Sequence, residues 1–275
     1  MKLGLARNLG RAAAPVAFAL ALAATPALAD FDAGWQAYQK ADFGAALEQW
    51  RPLADAGDAR AQFAIGTMYD QGKGVEWDQA TAVAWWLKAA DQNFAPAQHN
   101  VANSYIAGDG VPQDYAMAIK WLEAAGDQGQ ARSKYTLGKM YSYGLGVPKD
   151  QTVAFNWFVE AAEDGYVRAQ YNLGKMYRDG LGVDQDYAAA VEWYRMAADQ
   201  GYAKAQASLG TRYALGEGVD KDLAQALFWT SLAADQGLER AVVARDDMTA
   251  IMTPEQIADA DVLLIDSVIP AAGGN

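Results

Sequence analysis

From Ala59 to Leu238 the chain repeats itself every 36 residues with no insertion or deletion, as Ala59–Phe94, Ala95–Gln130, Ala131–Tyr166, Val167–Tyr202 and Ala203–Leu238. A period of this size belongs to stacked arrays, in which a unit cannot bury its apolar face alone and gains its core from its neighbours. These are units one to five below.

Each unit reads as two antiparallel helices. In unit four, Ala169, Leu173 and Tyr177 fall at i, i+4 and i+8 on one helix face, and Gly174 beside Leu173 admits a neighbouring helix closely. Gly180 ends the first helix, and Gly182 with Val183 makes a short turn. Asp186 then stands where a carboxylate accepts bonds from the free amides of a second helix. Asp78, Asp114, Asp150 and Asp222 hold that place in the other units. The second helix carries a small residue and a tryptophan, Ala190 and Trp193 in unit four, and Gly201 closes the unit. Unit two has Val101 and Ala102 where the others have an apolar residue and glycine, which predicts slightly wider packing there.

The two ends differ from the repeat. Lys2, Arg7 and Arg11 precede the apolar run Ala12 to Ala24, and Ala27-Leu28-Ala29 fits a cleavage site, so residues 1–29 read as an export leader in preference to a retained anchor. Residues 30–58 read as a capping half-unit, since Asp42, Ala46 and Ala54 are in phase with the second half of the pattern but the paired glycines are missing. Residues 239–275 read as C-terminal capping helices and a tail, with Thr253-Pro254-Glu255-Gln256 as a helix start and Ile257 to Ile269 covering the open end.

The chain has 22 basic and 34 acidic residues; without Lys2, Arg7 and Arg11 the balance is 19 to 34, about −15. Such an acidic protein has no general attraction for nucleic acid or anionic lipid. With no cysteine, it has no disulfide to hold it and no thiol for a lipid anchor.

The composite Ala-x-Ala-Gln-x-x-Leu-Gly-x-Met-Tyr, Gly-x-Gly-Val, capping Asp, Ala-x-x-Trp and Ala-Ala-x-x-Gly resembles the Sel-one-like repeats, relatives of the tetratricopeptide repeats. The resemblance covers about Asp32 to Leu238. It implies an all-α fold, a right-handed α/α superhelix of five full units with caps at both ends. It also implies an adaptor that binds partner proteins and, for exported bacterial members, a place in envelope regulation or polysaccharide assembly.

Motifs for chemistry are scarce. The Gly-x-Gly turns lack a third glycine and follow helices, so they are not nucleotide loops. The capping aspartates lie one unit apart, on the order of 10 Å, too far to share a metal ion. With no cysteine and only His99, neither a Cys–His pair nor a multi-histidine zinc site can form, and no cofactor is implied. His99 reads as a surface contact residue. The chain therefore reads as a binding protein and not an enzyme; a weak envelope hydrolase is the alternative from another class.

Charge is uneven. Over the first thirteen positions of the five units there are nine basic residues against Asp70 and Asp179. Positions two, five, nine and twelve share the helix face away from Leu173 and Tyr177. They place Arg132, Tyr135 and Lys139 beside Arg168, Tyr171, Lys175 and Arg178, with Lys204 and His99 extending the stripe. In tetratricopeptide-like stacks, which this chain resembles, that face lines the concave surface. A basic, tyrosine-bearing groove of this kind suits an acidic peptide or chain terminus, or an anionic polysaccharide. The plainer reading is that these charges only balance acidic second helices.

Overall fold

Local signals in each unit fold as read. Asp78 accepts a bond from the amide of Thr81 at 3.1 Å, and Asp114, Asp150, Asp186 and Asp222 cap their helices in the same way. Gly72, Gly108, Gly144, Gly180 and Gly216 end the first helices in the left-handed conformation, with φ between 63° and 75°. A side chain there would be strained, so the glycines fix where each first helix stops.

The computed structural model describes residues 29–268. Among them are fourteen helices and no strand. The N-terminal pair is α1 (Phe31–Gln39) and α2 (Phe43–Asp55). The five units supply α3 (Ala59–Gln71) with α4 (Gln79–Ala90), α5 (Ala95–Ala107) with α6 (Tyr115–Gly126), α7 (Ala131–Tyr143) with α8 (Gln151–Glu163), α9 (Val167–Asp179) with α10 (Tyr187–Asp199), and α11 (Ala203–Leu215) with α12 (Leu223–Asp235). The chain ends in α13 (Glu239–Ile251) and α14 (Pro254–Val268). Each helix packs chiefly on its sequence neighbours, and α14 folds back on α12. This is an all-α solenoid. Residues 1–28 of the leader, Ile269 and the tail lie outside the described residues.

The core is a relay of clusters, each spanning a second helix and the first helix that follows it. Ala154, Phe158 and Ala161 of α8 pack with Ala169, Leu173 and Met176 of α9, and α10 meets Ala205 and Leu209 of α11 in the same manner. The glycine after Leu173 serves a specific pairing: a Cβ on Gly174 would sit 2.5 Å from the ring of Tyr194, on the second helix of the same unit. Gly66 faces Trp86 and Gly138 faces Phe158 in the same way. In unit two the ring is absent: Ala102 stands in the glycine's place and Leu122 in the ring's, both fully buried in one cluster. The second glycine of each turn joins units. A Cβ on Gly182 would overlap the carbonyl oxygen of Gln151, at the start of the preceding unit's second helix.

A glutamine ladder runs through the array and was not anticipated. Gln62, Gln98, Gln170 and Gln206 are buried at position four, and each donates to a carbonyl eight residues earlier. Each also accepts from a glutamine 30 residues later: Gln92, Gln128, Gln200 and Gln236. Unit three replaces the amide pair with an ion pair, Lys134 to Asp164.

At the C-terminus the capping box forms as expected. Thr253 N–H donates to Gln256 Oε1 at 3.0 Å, and Gln256 N–H donates to Thr253 Oγ1 at 3.3 Å. Met252 and Ala260 pack with Leu227, and Leu263 and Leu264 lie against the cluster of α10, α11 and α12.

Candidate functional site

The first helices α7 and α9 bring three of the expected residues to one place. Tyr135 and Lys139 of α7 and Lys175 of α9 line a cavity of about 240 Å³, floored by Gln151 and Phe158 of α8. Asn172 of α9 donates to the Tyr135 hydroxyl at 3.3 Å and ties the two first helices together across the cavity. Tyr143 and Leu181, 68% and 44% exposed, stand at its edge.

The tyrosines are half-buried, because position five packs on the residue that closes the same unit. Tyr135 meets Tyr166 with ring centroids 5.0 Å apart, Tyr171 meets Tyr202 at 5.3 Å, and Phe63 meets Phe94 at 5.5 Å. Burial raises the Tyr135 hydroxyl above the ordinary phenol range, and the cation of Arg168 works against that shift. The same cation opposes the burial-driven rise at Tyr202. Tyr171 packs on Tyr194 and Tyr202 and does not line the Tyr135 cavity.

His99 is not on the surface. It is 3% exposed, with Nδ1 2.9 Å from the Ser133 hydroxyl and Nε2 3.0 Å from the Asn103 amide nitrogen. Burial, with a smaller contribution from the nearby Arg132 cation, lowers its pKa to about 4, so at neutral pH it is an uncharged seam residue and no member of a cationic stripe. Its companions explain the place: unit two has Gln130 where other units close with an aromatic or leucine, and Ser133 stands where other units have alanine. Ser133 is fully buried, so the Ser–His contact is closed to a substrate.

Arg178 also differs from expectation. Its guanidinium pairs with Asp179 through two nitrogens, at 2.6 and 2.7 Å, and that pairing raises the arginine pKa and lowers that of the carboxylate. It lines a separate cavity of about 190 Å³ with Arg212 and Arg240, and Arg212 is itself paired with Glu217. By contrast, Arg132, Lys139, Arg168, Lys175 and Lys204 form no ion pair among the described residues. The equivalent cavity between units one and two, about 260 Å³, is lined by Asp70, Asn100, Asn103 and Asp109 and by no cation. The positive character therefore belongs to units three to five.

A family profile described as the Sel1 repeat matches residues 59–94, 95–130, 131–166, 167–202 and 203–238. The chain belongs to the Sel1 repeat family. Among solved structures it is similar to a Sel1 repeat protein from Oxalobacter formigenes, at 32% identity and a TM-score of 0.75, covering 86% of this chain and all of that one. It is also similar to c5321, a protective antigen present in uropathogenic Escherichia coli strains that displays the same repeat fold, at 30% identity and a TM-score of 0.75. That match covers 87% of this chain, which spans about half (53%) of the antigen's length. No curated protein matches.

Sel1 repeat proteins generally mediate protein–protein interaction and are generally non-enzymatic. Among the described residues, no group of three or more His, Asp or Glu side chains is placed to hold a metal ion, and no helix is long and apolar enough to cross a membrane.

Proposed function

We propose that this Sel1 repeat protein is an exported, periplasmic scaffold whose first-helix face in units three to five holds an acidic segment of a protein partner. One observation carries the reading. In a strongly acidic chain, five cations without acidic partners stand on one set of helices, and two of them, Lys139 and Lys175, line a cavity with Tyr135. Unpaired cations beside half-buried phenols suit carboxylates, which accept charge-assisted bonds while the rings cover apolar side chains. Export is inferred from the leader sequence, and a role in envelope regulation or assembly from exported proteins of similar repeats.

The test is capture from an envelope extract by the protein and by the double variant Arg168→Glu, Lys175→Glu. Loss of a partner by the variant, with an unchanged helical circular dichroism spectrum, is the expected result. Equal capture by both proteins removes the stripe from the mechanism.

A further inference from the structure

Another cavity lies at the other end of the same face and has a different chemistry. It measures about 560 Å³ and is bounded by α1 and α3, with Phe31, Trp35, Tyr38, Phe63 and Phe94 as its walls. Trp35 is 47% exposed and lies almost parallel to Tyr38, 5.7 Å between centroids and 9° between planes. A cap whose sole work was to close the stack would turn its aromatic rings inward; here an indole is left facing an open hollow. The volume falls within the range of about 300–1,000 Å³ typical of sites that enclose a ligand group.

The hollow shares its helix face with the basic stripe, and the cation-free cavity of units one and two lies between them. Arg60, Phe63 and Thr67 of α3 hold the positions that Arg168, Tyr171 and Lys175 hold on α9, three units on. The side chains facing a partner thus change from aromatic at the cap, through asparagine and aspartate in units one and two, to lysine and arginine beyond. Arg60 stays at the rim, 4.5 Å over the ring of Phe31 and paired with Asp58 at 3.4 Å, so the aromatic hollow carries no free cation of its own.

We propose that this aromatic hollow anchors a tryptophan, phenylalanine or leucine side chain of the same acidic segment that the basic stripe holds. The proposal rests on the function proposed above and adds a second contact and a spacing. From the α1–α3 hollow to the α7–α9 cavity is three first-helix steps, on the order of 30 Å at roughly 10 Å per step. At ~3.3 Å per extended residue, the apolar anchor lies about nine residues from the acidic cluster. Two modest contacts on one chain reinforce each other, because binding of one raises the local concentration of the other.

Three synthetic peptides decide it: tetraglutamate; tetraglutamate joined through a Gly/Ser spacer of varied length to tryptophan; and the tryptophan peptide with serines in place of the glutamates. The spaced peptide should bind about tenfold tighter than tetraglutamate, with the best spacer near nine residues, and Trp35→Ala should erase the gain while leaving tetraglutamate binding unchanged. The serine peptide at millimolar concentration should move the Trp35 indole N–H resonance in a ¹⁵N-labelled sample. No movement of that resonance overturns the anchor, whatever tetraglutamate does. A resonance shift with no affinity gain at any spacer overturns the shared segment. A shift without tetraglutamate binding removes the basic stripe and keeps the hollow as a side-chain site. A gain that survives both Trp35→Ala and Phe63→Ala places the apolar contact elsewhere and also overturns the proposal.

Discussion

The Lys134 Nζ lies 2.8 Å from a carboxylate oxygen of Asp164, at the place where the other four units join two glutamines. Glu160 stands 3.5 Å from the same nitrogen, and the lysine side chain is only 14% exposed. The hydrogen bond that Lys134 donates to Asp164 raises the lysine pKa, so the ammonium stays charged throughout the neutral range. Because the neutral pair works in four units, the exchange should be tolerated when both partners change together. Lys134→Gln with Asp164→Gln should leave stability within about 0.5 kcal/mol of the parent, while Asp164→Ala alone should lose about 1 kcal/mol, a modest figure because Asp164 is 37% exposed. Urea unfolding midpoints of the parent, both single variants and the double variant give the coupling; full additivity would remove the pairing as a unit.

The glycine–ring contact makes a second prediction, and unit two supplies its control. Gly174→Ala puts a methyl group 2.5 Å from the Tyr194 ring, which is fully buried and cannot turn aside. Overpacking of this kind costs about 1–3 kcal/mol. Adding Tyr194→Leu recreates the Ala102 and Leu122 pairing and should recover most of the loss. Gly182→Ala meets a backbone carbonyl at φ +75°, so no side-chain change in Gln151 should rescue it. Thermal unfolding of the three variants distinguishes a clash with a ring from a clash with the backbone.

What was legible in the sequence was local or periodic. The aspartate caps and left-handed glycines act within a few residues of themselves, so the period announced them. The Gln62–Gln92 type of pairing joins residues 30 apart through the stack, and its signal was a coincidence inside the repeats: lysine replaces the position-four glutamine only in unit three, where aspartate also replaces its partner. His99 with Ser133 left the same kind of trace across a unit boundary. The helix wheel placed position five outward; it is half inward because the residue closing each unit folds over it. The sequence sets Arg178 in the basic stripe although Asp179 follows it, since adjacency in sequence does not reveal which charges meet. The aromatic hollow was missed because α1 does not follow the repeat, so no period pointed to Trp35.

His99 makes the stability depend on pH in a defined direction. Its folded pKa of about 4 lies below the ordinary value near 6.5, so the unfolded chain binds the proton more readily. The neutral histidine's contribution is complete above pH 6.5 and is lost as the pH falls through the window from 6.5 to about 4, by up to about 3 kcal/mol. Other groups titrate in that range, so the comparison is with His99→Gln, which cannot take up a proton there. The difference in unfolding free energy between parent and variant should shrink as the pH drops from 7 to 4.5. A constant difference would mean that the ring is solvated enough to protonate in place.

The last prediction separates the cations that are free from those already engaged. Arg168 and Lys175 form no ion pair, whereas Arg178 is held by Asp179. If an acidic segment docks on the free charges, reversing one removes an attraction and adds a repulsion, each about 1 kcal/mol in water at contact distance. Together that is roughly thirtyfold in affinity. Arg178→Gln removes a charge whose field Asp179 already cancels, so tetraglutamate affinity should change less than about twofold. Salt acts on the same distinction: between 0.15 M and 1 M the screening length shrinks from about 8 Å to about 3 Å, so binding through exposed charges should weaken steeply. Fluorescence anisotropy with Arg168→Glu, Lys175→Glu and Arg178→Gln at two salt concentrations reads both effects. If Arg178→Gln weakens binding as much as Arg168→Glu does, the Asp179 pair opens for the ligand and the free-cation account of the stripe is wrong.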